Sequence, residues 1–271
     1  MVNFIHRQNY VFDDLVAITR ILRSSEGCPW DREQTHKSIR MNFIEETYEA
    51  IEAIDNEDTV LLKEELGDVL AQVVFHSELE SECGRFNVDD VADGICKKLI
   101  LRHPHIFGDV TVSGSKEVLA NWDDIKRVEK GHKTHSEAMD AVARSLPALM
   151  RAEKLQAKAK KAGFDWPDIS GAFDKLSEEI AELQMAINEN SNIEEEVGDV
   201  IFAAVNIARF LGVNPEQATS SASDKFLARF ELMEKMSHEN GVKLNSLTLD
   251  EMDKLWDAAK ISLKVEGNEG I

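Results

Sequence analysis

The amino-acid sequence predicts an all-α protein built as a tandem pair of four- to five-helix bundles. Three observations lead to this fold class: a composition that favours helix, apolar residues at helical spacing, and an internal repeat. The chain has 271 residues, of which only 5 are proline and 14 are glycine, while 43% are hydrophobic. Such a chain can bury a core and contains few residues that interrupt a helix.

Helical spacing is clearest in two consecutive segments of each half of the chain. Ile44, Tyr48 and Ile51 recur at intervals of four and three residues, which places them on one face of an amphipathic helix. The same spacing follows at Leu66, Val69, Leu70, Val73 and Val74, and in the second half at Val197, Val200, Ile201 and Val205. Strand-like alternation is scarce, so we expect each half to be a helical bundle.

The second half of the chain repeats the first half. Five segments recur in the same order, with offsets of 133 residues for the first glutamates, 131 for the aspartates, 127 for the lysines and 134 for the downstream tryptophans. The matched pairs are Gly27–Trp30 with Gly163–Trp166, Glu45–Glu49 with Glu178–Glu182, Glu65–Val69 with Glu196–Val200, Lys98–Arg102 with Lys225–Arg229, and Trp122–Lys126 with Trp256–Lys260. This near-constant offset indicates a tandem duplication. We predict an N-terminal domain over 1–127, a linker over 128–143 and a C-terminal domain over 144–271.

The net charge restricts the possible partners. The formal charge of −20 repels the phosphates of nucleic acids and anionic membranes, so we expect neither as a partner. A small polyphosphate can still bind if divalent cations lie between the two sets of negative charge. The first ten residues lack the apolar stretch of a signal peptide, and no apolar run approaches the roughly 20 residues of a membrane span. With three cysteines at irregular spacing, this predicts a cytoplasmic protein with reduced thiols.

Four carboxylates in each half have the spacing of a shared site. Glu46 and Glu49 are three residues apart, which places them about 60° apart on a helix, and Glu65 and Asp68 have the same spacing on the next helix. If these two helices pack antiparallel, all four side chains converge. The equivalent residues of the second half are Glu179, Glu182, Glu196 and Asp199.

The alternative to a metal site is a solvated acidic face, which is routine for one such helix. Glu65 and Asp68, however, lie in an otherwise apolar segment, where carboxylates are costly unless they are paired or bind metal. Oxygen ligands select Mg²⁺ first, with Mn²⁺ or Ca²⁺ as substitutes. A di-iron site needs Glu-x-x-His pairs, but those at Glu33–His36 and Glu129–His132 are not repeated in the other half, and we interpret them as incidental. Zinc is unsupported, since no Cys/His set has ligand spacing.

Cations and tryptophans also recur with the repeat. Lys98 with Arg102, and Lys225 with Arg229, can be ordinary surface charges or, beside a metal site, ligands for phosphate oxygens. All four tryptophans belong to the repeated segments, and each is at least as well explained as a core residue as by stacking on a base.

The duplicated E-E-x-x-E and E-x-x-D motifs resemble the metal motif of the MazG family of nucleoside triphosphate pyrophosphohydrolases. Gly27–Asp31, Arg102–Phe107 and Arg144–Leu149 are also similar to segments of its long, two-domain bacterial members, so the resemblance covers essentially the whole chain. It implies a pair of MazG-type bundles assembled as a homodimer. It also implies Mg²⁺-dependent hydrolysis of nucleoside triphosphates between the α and β phosphates.

The resemblance further implies roles for individual residues. Mg²⁺ would be held by Glu179, Glu182, Glu196 and Asp199, with Glu46, Glu49, Glu65 and Asp68 as the equivalents in the first copy. Lys225 and Arg229 would bind the phosphates, Trp256 would lie near the nucleoside, and Lys126, Lys175 and Glu195 are further candidate substrate contacts. Glu178 is left to position or deprotonate the attacking water.

Two questions stay open at this point. The resemblance favours the C-terminal copy as the main catalyst, and Pro104 supports a difference because it must end or bend the helix that carries Arg102. The rival hypothesis is a non-catalytic, metal-stabilised helical dimer that acts as a protein-interaction or regulatory module.

Overall fold

A computed structural model describes residues 4–115, 117–118, 121–122, 125, 129, 131 and 134–268. Across these residues the chain forms helices and no β-strand, which confirms the predicted all-α class. The chain divides into two compact units, residues 1–130 and 131–271. Among the described helices, none has the length and apolar character needed to cross a bilayer.

The first unit contains four long helices and two short ones within its described residues. They are α1 (Phe12–Arg23), α2 (Pro29–Glu33), α3 (Arg40–Asp55), α4 (Thr59–Glu82), α5 (Val88–Arg102) and α6 (Pro104–Phe107). α3 packs along α4, and α4 also contacts α1 and α5. Residues 56–58 join α3 to α4 directly, and the Asp58 carboxylate caps α4 by accepting from the amides of Val60 and Leu61, each at 3.0 Å. A connection this short makes the two helices antiparallel neighbours.

The second unit repeats this arrangement with five long helices. Its described elements are α7 (His135–Asp140), α8 (Ala148–Lys161), α9 (Ser170–Glu189), α10 (Ile193–Leu211), α11 (Pro215–Glu239), a 3₁₀ turn (Leu244–Ser246) and α12 (Leu249–Asn268). α9 packs along α10, α8 lies against α10, and α11 packs on α12. Residues 190–192 join α9 to α10, and Asn190 and Asn192 both have φ of 51°, a left-handed conformation that asparagine tolerates. The short helix α7 lies inside the predicted linker over 128–143, and the domain boundaries stay a prediction.

A buried ion pair holds the segment before α9 against α10. The Arg209 guanidinium, on α10, donates to both carboxylate oxygens of Asp165 at 2.6 and 3.1 Å, and its side chain is only 7% exposed. The next residue, Trp166, lies so close to Gly171 that a Cβ there would stand 2.3 Å from the indole ring. Glycine is therefore required at the first turn of α9, and the repeated Trp166 has a packing role there.

The apolar faces predicted from helical spacing exist, but they are not covered within the described chain. Ile44, Tyr48 and Ile51 on α3 are 43%, 48% and 43% exposed. In the second unit, Ile180 on α9 and Ile201 on α10 are 43% and 48% exposed. The buried positions between paired helices are held instead by small residues such as Ala53, Ala172 and Ala203, which allow close helix approach.

Candidate metal centre

Three carboxylates meet between α3 and α4, and we call Glu46, Glu49 and Glu65 the first cluster. Each offers an oxygen within 4.8 Å of the others. The antiparallel packing brings Glu46 and Glu49 of α3 opposite Glu65, which lies in the second turn of α4. Glu65 is 8% exposed, so part of this negative charge is withdrawn from water.

Burial and neighbouring carboxylates disfavour the charged state of two residues of the first cluster, Glu46 and Glu65. The pKa of Glu46 is raised by burial and then by the charges of Asp68, Glu49 and Glu65. The pKa of Glu65 is raised by burial and then by Glu49 and Asp68. Among the described residues, no lysine or arginine forms an ion pair with Glu46, Glu49 or Glu65. The first cluster therefore lacks the cation that its charges favour.

An equivalent group lies between α9 and α10, and we call Glu179, Glu196 and Asp199 the second cluster. Its carboxylate oxygens also come within 4.8 Å of one another. Glu179 is 7% exposed, whereas Asp199 is exposed. Glu182 adjoins this group, since its carboxyl shares a hydrogen bond with Glu179 that, together with burial, raises the pKa of Glu182.

A lysine side chain reaches the second cluster from one turn earlier on α9. The Lys175 ammonium lies 2.8 Å from an oxygen of Glu178 and 2.8 Å from an oxygen of Glu179. These two hydrogen bonds are the main cause of a raised pKa for Lys175. The offset of 133 places Asn42 at the equivalent position of α3. This pairing makes Lys175 a neighbour of the metal-ligand candidates as well as a candidate substrate contact.

The donor chemistry of both clusters fits a hard divalent cation. Each cluster consists of carboxylate oxygens alone, with no histidine or cysteine among the grouped ligands. Oxygen-only ligands suit Mg²⁺, Mn²⁺ or Ca²⁺ better than zinc or copper. The raised pKa values of Glu46 and Glu65 follow from burial and crowded carboxylates, and in the second cluster the Lys175 ammonium pairs with Glu179.

The structure corrects one part of the sequence-based argument. Glu65 is buried as expected, but in the second unit the buried carboxylate is Glu179 on α9, while Asp199 is exposed and Glu196 half-buried. Asp68 and Glu182 lie next to the clusters without belonging to the tightest groups of three. The expected burial was wrong for Asp68 and Asp199, which are exposed because the apolar side chains next to them do not all face a core. Leu66 is 54% exposed.

The proposed phosphate-binding side chains differ between the units. Arg229 on α11 lies over the indole of Trp256 on α12, with 5.7 Å from its guanidinium carbon to the ring centre. Arg102, its counterpart at the end of α5, instead makes a 2.8 Å ion pair with Glu129 and is 14% exposed. Lys225 and Glu195 are exposed on α11 and α10, and Lys126 lies outside the described residues. No contact between the described atoms joins Lys225 or Arg229 to the second cluster.

The first unit contains a histidine pair that the sequence analysis did not connect. The Nδ1 atoms of His36 and His76 are 2.7 Å apart, and their ring planes differ by only 3°. His36 Nε2 lies 2.6 Å from Glu80, which also accepts from Arg85. We had interpreted His36 only as part of a Glu-x-x-His tetrapeptide. The partner residue His76 lies 40 positions away, so nothing in the local pattern indicated the contact.

Comparison with known proteins shows where such units occur. A family model described as the MazG nucleotide pyrophosphohydrolase domain matches residues 34–107 and 171–238, which hold the two clusters. The chain is 45% identical to a nucleoside triphosphate pyrophosphohydrolase/pyrophosphatase MazG of Thermotoga maritima over 92% of this chain and 96% of the relative. It is 43% identical to a nucleoside triphosphate pyrophosphohydrolase of Escherichia coli K12, with the same coverage. An uncharacterized protein of Bacillus subtilis, YabN, is 48% identical over 92% of this chain and 51% of its own length.

Proposed function

The chain belongs to the MazG family, and from this premise we propose that it is a nucleoside triphosphate pyrophosphohydrolase. It cleaves the bond between the α and β phosphates and releases a nucleoside monophosphate and pyrophosphate. The observation that carries this proposal is the convergence of three carboxylates within 4.8 Å in each matched domain. Because both the carboxylate site and the triphosphate are negatively charged, a divalent cation between them is needed to offset their repulsion.

We propose Glu179, Glu182, Glu196 and Asp199 as the residues that hold Mg²⁺, with Mn²⁺ as a substitute. When bound, this ion neutralises the triphosphate and lowers the pKa of a coordinated water. Glu46, Glu49, Glu65 and Asp68 are the equivalent ligands of the first unit. The second unit is the proposed main catalyst, because its arginine is not held by a carboxylate.

Substrate binding is assigned to side chains around the second cluster. Lys225 and Arg229 bind the phosphates, and cation-rich contacts of this kind stabilise charge on the pyrophosphate leaving group. Trp256 provides an aromatic ring for the nucleoside, and the Arg229 guanidinium carbon lies 5.7 Å from the centre of this ring. Lys175 and Glu195 complete the proposed contacts on this unit, and Lys126, which lies outside the described residues, is kept as a further proposed substrate contact. We expect broad base and sugar preference, since no set of residues resembles a hydrogen-bonding code for one base.

Glu178 is the proposed residue for the attacking water. Its side chain is 57% exposed and accepts from Lys175 at 2.8 Å, so this carboxyl group lies at the solvent-facing side of α9, next to Glu179. A carboxylate in this position can orient a water and accept its proton.

We also propose a homodimer in the cytoplasm. The exposed apolar residues of the paired helices support the dimer, because Ile180 and Ile201 are 43% and 48% exposed and a second copy can cover such a face.

Product analysis tests the proposed reaction. The protein is incubated with ATP and with dTTP, with and without Mg²⁺, and the products are separated by ion-exchange chromatography. We expect monophosphate and pyrophosphate in equal amounts, and only with the metal. Diphosphate with free orthophosphate would identify a γ-phosphatase instead. No turnover across a full nucleotide panel would favour the rival hypothesis of a non-catalytic, metal-stabilised dimer.

A further inference from the structure

The Lys175 ammonium forms an ion pair with Glu179, the buried carboxylate of the second cluster. The ammonium bridges Glu178 and Glu179, at 2.8 Å from an oxygen of each. The Glu179 side chain is 9% exposed, so its charge is largely removed from water and is costly without a partner. Lys175 lies three and four residues before these glutamates, a spacing that brings the three side chains to one face of α9.

The first cluster has the same kind of carboxylates and no such cation. Asn42 stands where the repeat places the lysine, four residues before Glu46. Among the described residues, Glu46 has carboxylates as its charged neighbours and no ion pair with lysine or arginine. Among the described residues, the two clusters are therefore a matched pair: the second has a lysine ammonium paired with it, and the first does not.

We propose that Lys175 is the internal counter-ion of the second cluster, which holds Glu179 in place without metal and releases it when a divalent cation binds. This inference rests on the proposed role of Glu179 as a metal ligand. Lys175 acts on the metal through Glu179 and is in this sense a positioning residue. The ammonium and the metal compete for the same carboxylate, so the lysine lowers metal affinity while it stabilises the metal-free site.

Removal of the lysine has a distinctive expected result. In Lys175→Met the competing cation is absent, and a divalent ion then relieves repulsion among Glu178, Glu179 and their neighbours. Because Lys175 is 37% exposed, the pair is only partly screened, and we expect metal to bind roughly three- to tenfold more tightly. A lysine with a packing role alone would leave metal affinity unchanged.

Mn²⁺ binding measured by electron paramagnetic resonance tests the proposal on the full chain. A Glu46→Gln/Glu65→Gln background removes the first cluster, and Lys175→Met is compared in it with Lys175→Arg and with the unchanged lysine. We expect tighter Mn²⁺ binding for Lys175→Met and near-unchanged binding for Lys175→Arg. The thermal midpoint of Lys175→Met should fall without metal and recover in saturating Mn²⁺. Equal or weaker Mn²⁺ binding, or a midpoint lowered equally in both conditions, would overturn the proposal.

The reciprocal variant places the lysine in the first cluster. In a Glu179→Gln background, Asn42→Lys should weaken Mn²⁺ binding by a similar factor and raise the metal-free thermal midpoint. If Lys175→Met does not fold, Asn42→Lys still tests whether a lysine at this position competes with the metal. An unchanged Mn²⁺ affinity in Asn42→Lys would count against the proposal. If the wild-type chain binds no Mn²⁺, the proposed metal role itself fails. If it binds Mn²⁺ but neither substitution changes the affinity, only the role of the lysine fails.

Discussion

The two carboxylate clusters are built alike and placed in different electrostatic surroundings. Each lies between two antiparallel helices joined by residues 56–58 or 190–192. In the first unit Asn42 stands at the position equivalent to Lys175, and the pKa values of Glu46 and Glu65 are raised. In the second unit the Lys175 ammonium lies 2.8 Å from Glu179. Ligand identity was retained through the duplication, and the neighbours that control the charge of the site were not.

The arginines differ in the same way. Arg102 is held by Glu129 at 2.8 Å, whereas Arg229 lies over Trp256 and forms no ion pair among the described residues. The offset of 134 residues places Leu263 where the first unit has Glu129, so the second unit lacks the carboxylate that holds the arginine. A guanidinium that is not paired with a carboxylate can bind a phosphate at lower cost. This difference supports the proposal that the second unit is the main catalyst.

The largest expected difference follows from removing one ligand in each cluster. Glu179→Gln should reduce turnover of ATP on the order of 100-fold, because it removes a charged ligand from the catalytic copy. Glu46→Gln should reduce turnover less than about threefold, since it alters the copy without a free arginine. Steady-state release of pyrophosphate under saturating Mg²⁺ measures both.

Folding controls on both variants separate a loss of catalysis from a loss of structure. Circular dichroism on both variants shows whether the helices persist. The two substitutions are comparable because the repeat makes Glu46 on α3 and Glu179 on α9 equivalent positions. Equal loss of turnover from the two substitutions would contradict a single active copy. A greater loss from Glu46→Gln would reverse the assignment.

The arginines should give the next largest effect. Arg229→Ala should lower kcat/KM for ATP by about 10-fold or more, because a charge-assisted contact to phosphate is lost. Arg102→Ala should leave kcat/KM nearly unchanged and lower the stability of the first unit by about 1 kcal/mol, since it breaks the pair with Glu129. Kinetics and urea unfolding separate the two outcomes, and similar kinetic losses would count against the comparison.

The all-α fold and the convergence of carboxylates from two consecutive helices could be predicted from the sequence, because both depend on short-range spacing. Glu46 and Glu49 share a helix face by their separation of three residues, and the short connection at 56–58 forces the next helix alongside. The all-α class and the family were confirmed on this basis. The repeat added a second, independent copy of the same pattern.

The side-chain contacts outside the carboxylate clusters could not be predicted, because they join residues that are far apart in the sequence. Arg102 and Glu129 are 27 residues apart and have no common pattern, and His36 and His76 are separated by 40. Burial was also beyond prediction. An apolar helix face, such as the one that includes Ile44, can be covered by the same chain or left 43% exposed.

The pH dependence of the metal-free first cluster gives a smaller effect. The pKa values of Glu46 and Glu65 are raised above the ordinary 4.5, so the protonated carboxyls are favoured in the folded state. Their contribution to stability is complete below pH 4.5 and is lost as the pH rises through the raised values. Glu65→Gln should therefore become more stable relative to wild type as the pH rises. Urea unfolding in chelator across this range checks the trend, and a constant difference would contradict it.

The histidine pair of the first unit gives the smallest expected effect. The pKa of His76 is lowered below 6.5 by burial and by the charge of His36, so the folded state favours neutral His76. This contribution to stability is present above pH 6.5 and is lost as the pH falls, because the unfolded chain then binds the proton more readily. The repeat places Ile169 and Ile207 at the equivalent positions, so the second unit has no such pH response.

The double variant His36→Ile/His76→Ile gives the first unit the residues of the second. It should reduce the pH dependence of unfolding between about pH 5 and 8, the range in which histidine titrates, by the contribution of the His36–His76 pair. Nuclear magnetic resonance of the imidazole protons gives the direct control, since His76 should titrate below its ordinary range in the wild type. The effect is small because one N–H···N bond at 2.7 Å joins two rings that are only partly withdrawn from water. Titration of His76 at its ordinary value would mean that the pair does not persist in solution, and that this difference between the two units is without consequence for stability.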